Sequence, residues 1–264
     1  VATERTVSSR PQVIPHRGGS REVPENTWSA VEHVKRLGLD WMETDLRLSA
    51  DGVPVLCHDV DLERLAGDPR QVREVMWAEL ADLDAGDARG LVCLPDLLAA
   101  YPDLRLNVDL KESDVVQPAL QAVRDADALD RVRFASFSAR RLAVLRRQEP
   151  RATTSLGRVD VLGLMLLSEA SVPLPHTRWG WTRGRVDAVQ VPETYRGVTV
   201  VTPRLVAAAH RMGLEVHVWT VDLPEQMRRL ARLNVDAIMT DVPTLAQEVL
   251  TRKKGTGRQG RQRP

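Results

Sequence analysis

From residue 12 to residue 250 short β-branched or aliphatic runs alternate with longer stretches whose apolar residues recur every three to four positions. The short runs predict strands at 12–15, 41–46, 54–57, 104–110, 132–136, 153–156, 188–191, 215–220 and 237–239. Helices are predicted at 27–37, closed by Gly38; at 115–128; at 139–147; at 203–212, with Pro203 at its start and Gly213 past its end; and at 224–233. No Ser/Gly-rich linker breaks the rhythm, which argues for one α/β domain with a parallel sheet. A strand, helix, glycine, strand grammar over about 250 residues is that of a (β/α)8 barrel, and a doubly wound open sheet shares it. Residues 157 to 187 fit neither period; around "PLPHTRWGWTRGR" they read as a long loop, lying over a site or merely inserted.

Strand periodicity also sorts the charges. In "WMETDLRLS" it sets Trp41, Glu43, Asp45 and Arg47 on one face and Met42, Thr44, Leu46 and Leu48 on the other. In "LRLNVDLKE" it groups Asn107, Asp109 and Lys111 against Leu106, Val108 and Leu110. With helices outside a barrel the apolar sets face the helices and the acids face inward, where unpaired carboxylates are costly. Glu43, Asp45 and Asp109, with no thiolate and no histidine cluster nearby, suit a hard divalent ion such as Mg²⁺ or Ca²⁺. Edge strands with a solvated face, or neutralisation by neighbouring Arg and Lys, are the plainer alternatives. His16 and His58 each follow a predicted strand, each beside a charged residue, and together they favour general acid–base work. His33 and His210 lie in helical patterns and read as surface or packing residues, His217 as a hydrogen-bonded interior residue, and His176 falls in the irregular loop.

Composition changes the picture little. A hydrophobic content of 43% in 264 residues is enough for a real core. No run approaches a membrane span and the start shows no apolar leader, so a cytoplasmic protein without stable membrane association is expected. Cys57 and Cys93 suggest no disulfide framework. The net charge of +1 hides an asymmetry: "RKKGTGRQGRQRP" at the end holds six of the 37 Lys and Arg, and the remainder carries 31 basic against 36 acidic residues. The expected organisation is an N-terminal extension at 1–11, a barrel at 12–251 and a basic disordered tail at 252–264, with no nucleic-acid partner expected.

The strings "HRG", "PENT", "ETD", "DGVPVLCHD", "NVDLK", "SF", "VWTVD" and "VDAIMTDVP", in that order, resemble the glycerophosphodiester phosphodiesterase family. The resemblance implies a TIM barrel and metal-dependent hydrolysis of a small-molecule glycerophosphodiester to glycerol 3-phosphate and an alcohol. It implies His16 and His58 as acid and base, Arg17 on a phosphate oxygen with Lys111 assisting, and Glu43 and Asp45 as metal ligands. Asp109 stands where that family usually has glutamate. Trp219 matches an aromatic that packs on glycerol or a cationic head group. The resemblance also places Glu25 and Asn26 in or beside the substrate site, although Asn26 reads equally as a helix N-cap and Glu25 as a brace for Arg17 or His16. It implies attack by the glycerol 2-hydroxyl to give a cyclic phosphate. Two alternatives remain: a sphingomyelinase D-like phospholipase on the same barrel, and a catalytically silent barrel that binds phosphate compounds.

Overall fold

The structure, a computed structural model, describes residues 10–169 and 185–251. The expected tail, His176 and most of the N-terminal extension lie outside the described residues. Eight strands alternate with eight helices in chain order: β1 Gln12–Pro15, α1 Trp28–Arg36, β2 Trp41–Leu48, α2 Leu94–Ala100, β3 Arg105–Leu110, α3 Val116–Asp125, β4 Val132–Ala135, α4 Ala139–Gln148, β5 Thr153–Ser155, α5 Arg158–Glu169, β6 Arg185–Pro192, α6 Pro203–Arg211, β7 Glu215–Trp219, α7 Pro224–Arg232, β8 Ala237–Thr240 and α8 Pro243–Thr251. The strands run parallel in the order β1, β8, β7, β6, β5, β4, β3, β2, and a bridge between His16 and Glu43 joins the last to the first. This is a (β/α)8 barrel, not the open sheet that shares its grammar.

The alternation on β2 and β3 explains how the wall is built. Met42, Leu46, Leu106, Val108 and Leu110 are fully buried outward against apolar residues of α1, α2 and α3, and a second such layer covers β6, β7 and β8. Each of these side chains contributes about 1.5–3 kcal/mol by leaving water, which fixes the opposite, acid-bearing face inward. Neither strand is an edge: β2 pairs with β3 on one side and with the antiparallel strand Pro54–Leu56 on the other. That short strand opens an insertion before α2 with a small core of its own, which buries both cysteines unpaired.

Low in the barrel the filling is polar. Trp41 lies between the guanidinium groups of Arg105 and Arg133, 4.9 and 4.6 Å from its ring centre. Arg133 forks onto Asp187 at 2.8 and 2.7 Å and reaches Glu215 at 3.0 Å, where His217 also bonds at 3.0 Å.

Two expectations need correction. Residues 158–169 form helix α5 instead of loop, because "RVDVLGLMLLSE" carries apolar side chains all round and so shows no single stripe. The N-cap of α1 is Thr27, whose hydroxyl accepts from the Ala30 amide at 3.2 Å; Asn26 is turned away with φ +56°.

Candidate active site

The loop after β1 is shaped by residues in the left-handed region. Arg17, Gly18, Gly19 and Asn26 have φ of +52°, +85°, +104° and +56°, and the Asn26 amide closes the loop onto the Arg17 carbonyl at 3.0 Å. The two glycines let the loop approach helices: a Cβ on Gly18 would stand 2.5 Å from Cβ of Ala30, and one on Gly19 2.9 Å from the Pro243 ring. Gly18→Ala is therefore expected to destabilise the fold by about 2–4 kcal/mol, from the clash and the backbone strain together. A denaturant midpoint equal to that of the unsubstituted protein would show that the loop relaxes freely.

Register brings the acids together. Glu43 is level with Asn107 and Asp45 with Asp109 across β2 and β3, while His16 is level with Glu43 across the closing seam. Lys111 Nζ lies 2.7 Å from both Asp45 Oδ1 and Asp109 Oδ2. Burial works against the charged form of Asp45, but Lys111 and Arg17 outweigh it and hold its pKa below the ordinary range. For Asp109 burial comes first and, with the Asp45 charge, outweighs Lys111 and Arg141, so its pKa is raised. Glu43 is pushed up to about 7, by burial first and the Asp45 charge second. The site thus holds more acid than its own cations neutralise. Among the described residues, however, no three donors already stand as a metal cage.

Around this centre the other groups take up positions. Arg17 donates its backbone N–H to Glu43 at 3.1 Å and Nη1 to Glu25 at 3.1 Å. Its Nε is 3.1 Å from Asp45 Oδ2 but misaligned, so a buried guanidinium N–H is left without a hydrogen-bond acceptor. His16 Nδ1 meets Asp241 at 2.6 Å, and its Nε2 points towards Glu43 at 3.8 Å. Burial opposes the His16 charge, yet Glu43 and Asp241 more than offset that and raise its pKa. His58 Nδ1 meets Asp59 at 2.7 Å, and Arg64 links Asp59, at 2.6 Å, to Glu25, at 2.7 Å.

One cavity of about 770 Å³ at the C-terminal mouth of the barrel is lined by His16, Arg17, Glu43, Asp45, His58, Asp109, Lys111 and Trp219. Trp219 stands edge-on to Phe137 with ring centres 5.7 Å apart. Glu25 and Asn26, expected in or beside the substrate site, stand beside the cavity and not among its lining: Glu25 braces Arg17, and Asn26 bonds Thr44 at 2.8 Å and Asp45 at 3.3 Å from behind. Asp59 and Asp241 went unassigned in the sequence, although each lies in a quoted string, "CHD" and "TDVP".

A profile of the Glycerophosphoryl diester phosphodiesterase family matches residues 16–245. The chain belongs to this family. It is 35% identical over 240 residues to the "Probable glycerophosphodiester phosphodiesterase 2" of Mycobacterium tuberculosis, covering 90% of this chain and 89% of that one. It is 30% identical to a glycerophosphodiester phosphodiesterase of Caldanaerobacter subterraneus subsp. tengcongensis, over 88% of this chain and 94% of the relative. In fold it is similar to an Oleispira antarctica phosphodiesterase solved with its product sn-glycerol-3-phosphate, with TM-score 0.72 and 22% identity over 91% of this chain and 96% of that one. As a family of phosphoric diester hydrolases, glycerophosphoryl diester phosphodiesterases work on an anionic phosphorus centre.

In this family member Asp241 holds the His16 ring and stabilises its protonated form. Asp241→Asn is expected to lower the pKa of His16 by about one unit, read from the titration of its ring protons by NMR. An unchanged titration would detach Asp241 from the His16 charge.

Proposed function

We propose that the protein hydrolyses glycerophosphodiesters to glycerol 3-phosphate and an alcohol, using a divalent cation and two histidines. One observation carries the reading: in a member of this family, one cavity gathers two carboxylate-oriented imidazoles, the Arg17 guanidinium and three buried acids. The sn-glycerol-3-phosphate bound as product by the Oleispira antarctica phosphodiesterase supports the product proposed for this chain.

Glu43, Asp45 and Asp109 suit a hard ion, Mg²⁺ or Ca²⁺, since all three offer oxygen and Glu43 is buried beside the like charge of Asp45. When bound, such an ion would supply Lewis-acid polarisation of the substrate. The chain's own residues do the rest. Arg17 and Lys111 take phosphate oxygens and draw the charge that builds there. His16, oriented by Asp241, and His58, oriented by Asp59, move protons to and from the attacking hydroxyl and the departing alcohol. Trp219 offers a face to glycerol or to a cationic head group.

The test is release of glycerol 3-phosphate from glycerophosphocholine with and without chelator. Chelator-sensitive release supports the enzyme; tight binding of the diester without release would leave a silent phosphate-binding barrel. Asp109→Glu is expected to change metal affinity or preference by about tenfold, since one added methylene moves the carboxylate within the set. Identical metal titrations for both proteins would place Asp109 outside it.

A further inference from the structure

Two segments carry the groups that handle phosphate and protons, and one side chain ties them together. The loop after β1 presents Arg17, and the segment after the strand Pro54–Leu56 presents His58. Further along that segment a one-turn helix, Glu63–Ala66, buries none of its own residues. Its Arg64 is half exposed and stands outside the cavity lining, yet it spans both segments. Nε donates to Asp59 Oδ2 at 2.6 Å, while Nη1 and Nη2 fork onto Glu25 at 3.0 and 2.7 Å.

Each carboxylate turns from Arg64 to the site. Asp59 meets His58 Nδ1 with its other oxygen at 2.7 Å, and Glu25 Oε1 also accepts from Arg17 Nη1 at 3.1 Å. The result is an unbroken path, Arg17, Glu25, Arg64, Asp59, His58, and only its two ends line the cavity. Two ionised carboxylates accept and do not donate, so they repel when drawn together. Arg64 is what lets Glu25 and Asp59 stand at one place. Its planar fork supplies three bonds in fixed directions, which the single ammonium of a lysine on a flexible stem does not reproduce. Half-exposed ion pairs add little to folding stability, so the bridge matters for aim. The His58 main chain is held separately, its carbonyl accepting from Arg47 Nε at 3.0 Å.

We infer that Arg64 is a positioning residue which couples phosphate binding to proton transfer, setting Arg17 through Glu25 and His58 through Asp59. The inference rests on the diesterase reading above and goes beyond it, because Arg64 touches neither the substrate nor the reacting atoms.

The experiment measures kcat and KM for glycerophosphocholine. Glu25→Gln is expected to act mainly on KM and Asp59→Asn mainly on kcat, whereas Arg64→Ala acts on both and lowers kcat/KM on the order of tenfold to a hundredfold at a nearly unchanged denaturant midpoint. Free guanidinium at millimolar concentration should restore part of that loss. Arg64→Lys, which keeps the charge without the fork, should remain well below the parent, and it carries the comparison if Arg64→Ala does not fold. In the Glu25→Gln/Asp59→Asn double variant the losses should fail to multiply by about threefold or more, and in an Arg64→Ala background they should multiply. An active parent whose Arg64→Ala and Arg64→Lys variants stay within about twofold of it overturns this inference alone. So does a loss that follows a lowered midpoint without guanidinium rescue, which assigns Arg64 to folding, and so does a coupling that persists without Arg64. Inertness of the parent overturns the diesterase reading and this inference with it.

Discussion

Glu43→Gln is expected to lower kcat/KM for glycerophosphocholine by at least about 10²-fold while leaving the metal-free protein as stable as before, or more so. The two halves of this expectation have one cause. Glu43 is buried beside Asp45, and its pKa of about 7 in the folded protein exceeds the ordinary glutamate value. A carboxyl whose folded pKa is raised binds its proton more tightly folded than unfolded, so its contribution is fully present below the unfolded pKa and is lost as pH rises from about 4.5 to about 7. Glutamine removes that loss, and above pH 7 the metal-free variant should melt no lower than the parent, with a gain of up to about 3 kcal/mol. The same proton competes with a divalent ion, so ion affinity in the unsubstituted protein should strengthen as pH rises through about 7, and the variant should lose that dependence. Calorimetric titration with Mg²⁺ and with Ca²⁺ at two pH values, alongside rates, checks both. Full activity at unchanged ion affinity would remove Glu43 from the proposed ligand set.

The second large effect concerns the substrate. A 2-deoxy analogue of glycerophosphocholine is expected to bind yet turn over at least about 10²-fold more slowly. If the 2-hydroxyl attacks the neighbouring phosphorus, the nucleophile arrives tethered to its target and escapes much of the entropy cost of recruiting water. Removing it deletes both that advantage and the proton that one of His16 and His58 would take. In the proposed mechanism Arg17 and Lys111 hold phosphate rather than the glycerol carbons, so affinity should survive and the loss should fall on kcat. Hydrolysis of the analogue at a rate near that of the parent would exclude the cyclic route in favour of direct attack by water.

What the sequence disclosed and what it hid divide along a physical line. The inward aim of Glu43, Asp45 and Asp109 was legible because strand alternation is local, and β2 and β3 keep it without interruption. The partner of His16 was not, because Asp241 is 225 positions away and the two meet only when β1 pairs with β8. Helix α5 was hidden by its own composition: apolar on the core side and apolar on the cavity side, it offers no stripe for periodicity to find. Asn26 misled for a subtler reason. Asparagine before a helix is an ordinary cap, but Thr27, one residue later, performs that task and leaves the amide to hold Asp45 from behind.

The filled floor of the barrel sets the traffic of the reaction. Trp41 clasped by Arg105 and Arg133, and below the acids the joined side chains of Arg133, Asp187, Glu215 and His217, close the lower end with packed aromatic and paired charge. Among the described residues this leaves the mouth where Trp219 and Phe137 stand as the way in and out. In the proposed reaction the fragment nearer that mouth would have to leave before the deeper one, so departure would be ordered by depth and not by affinity alone.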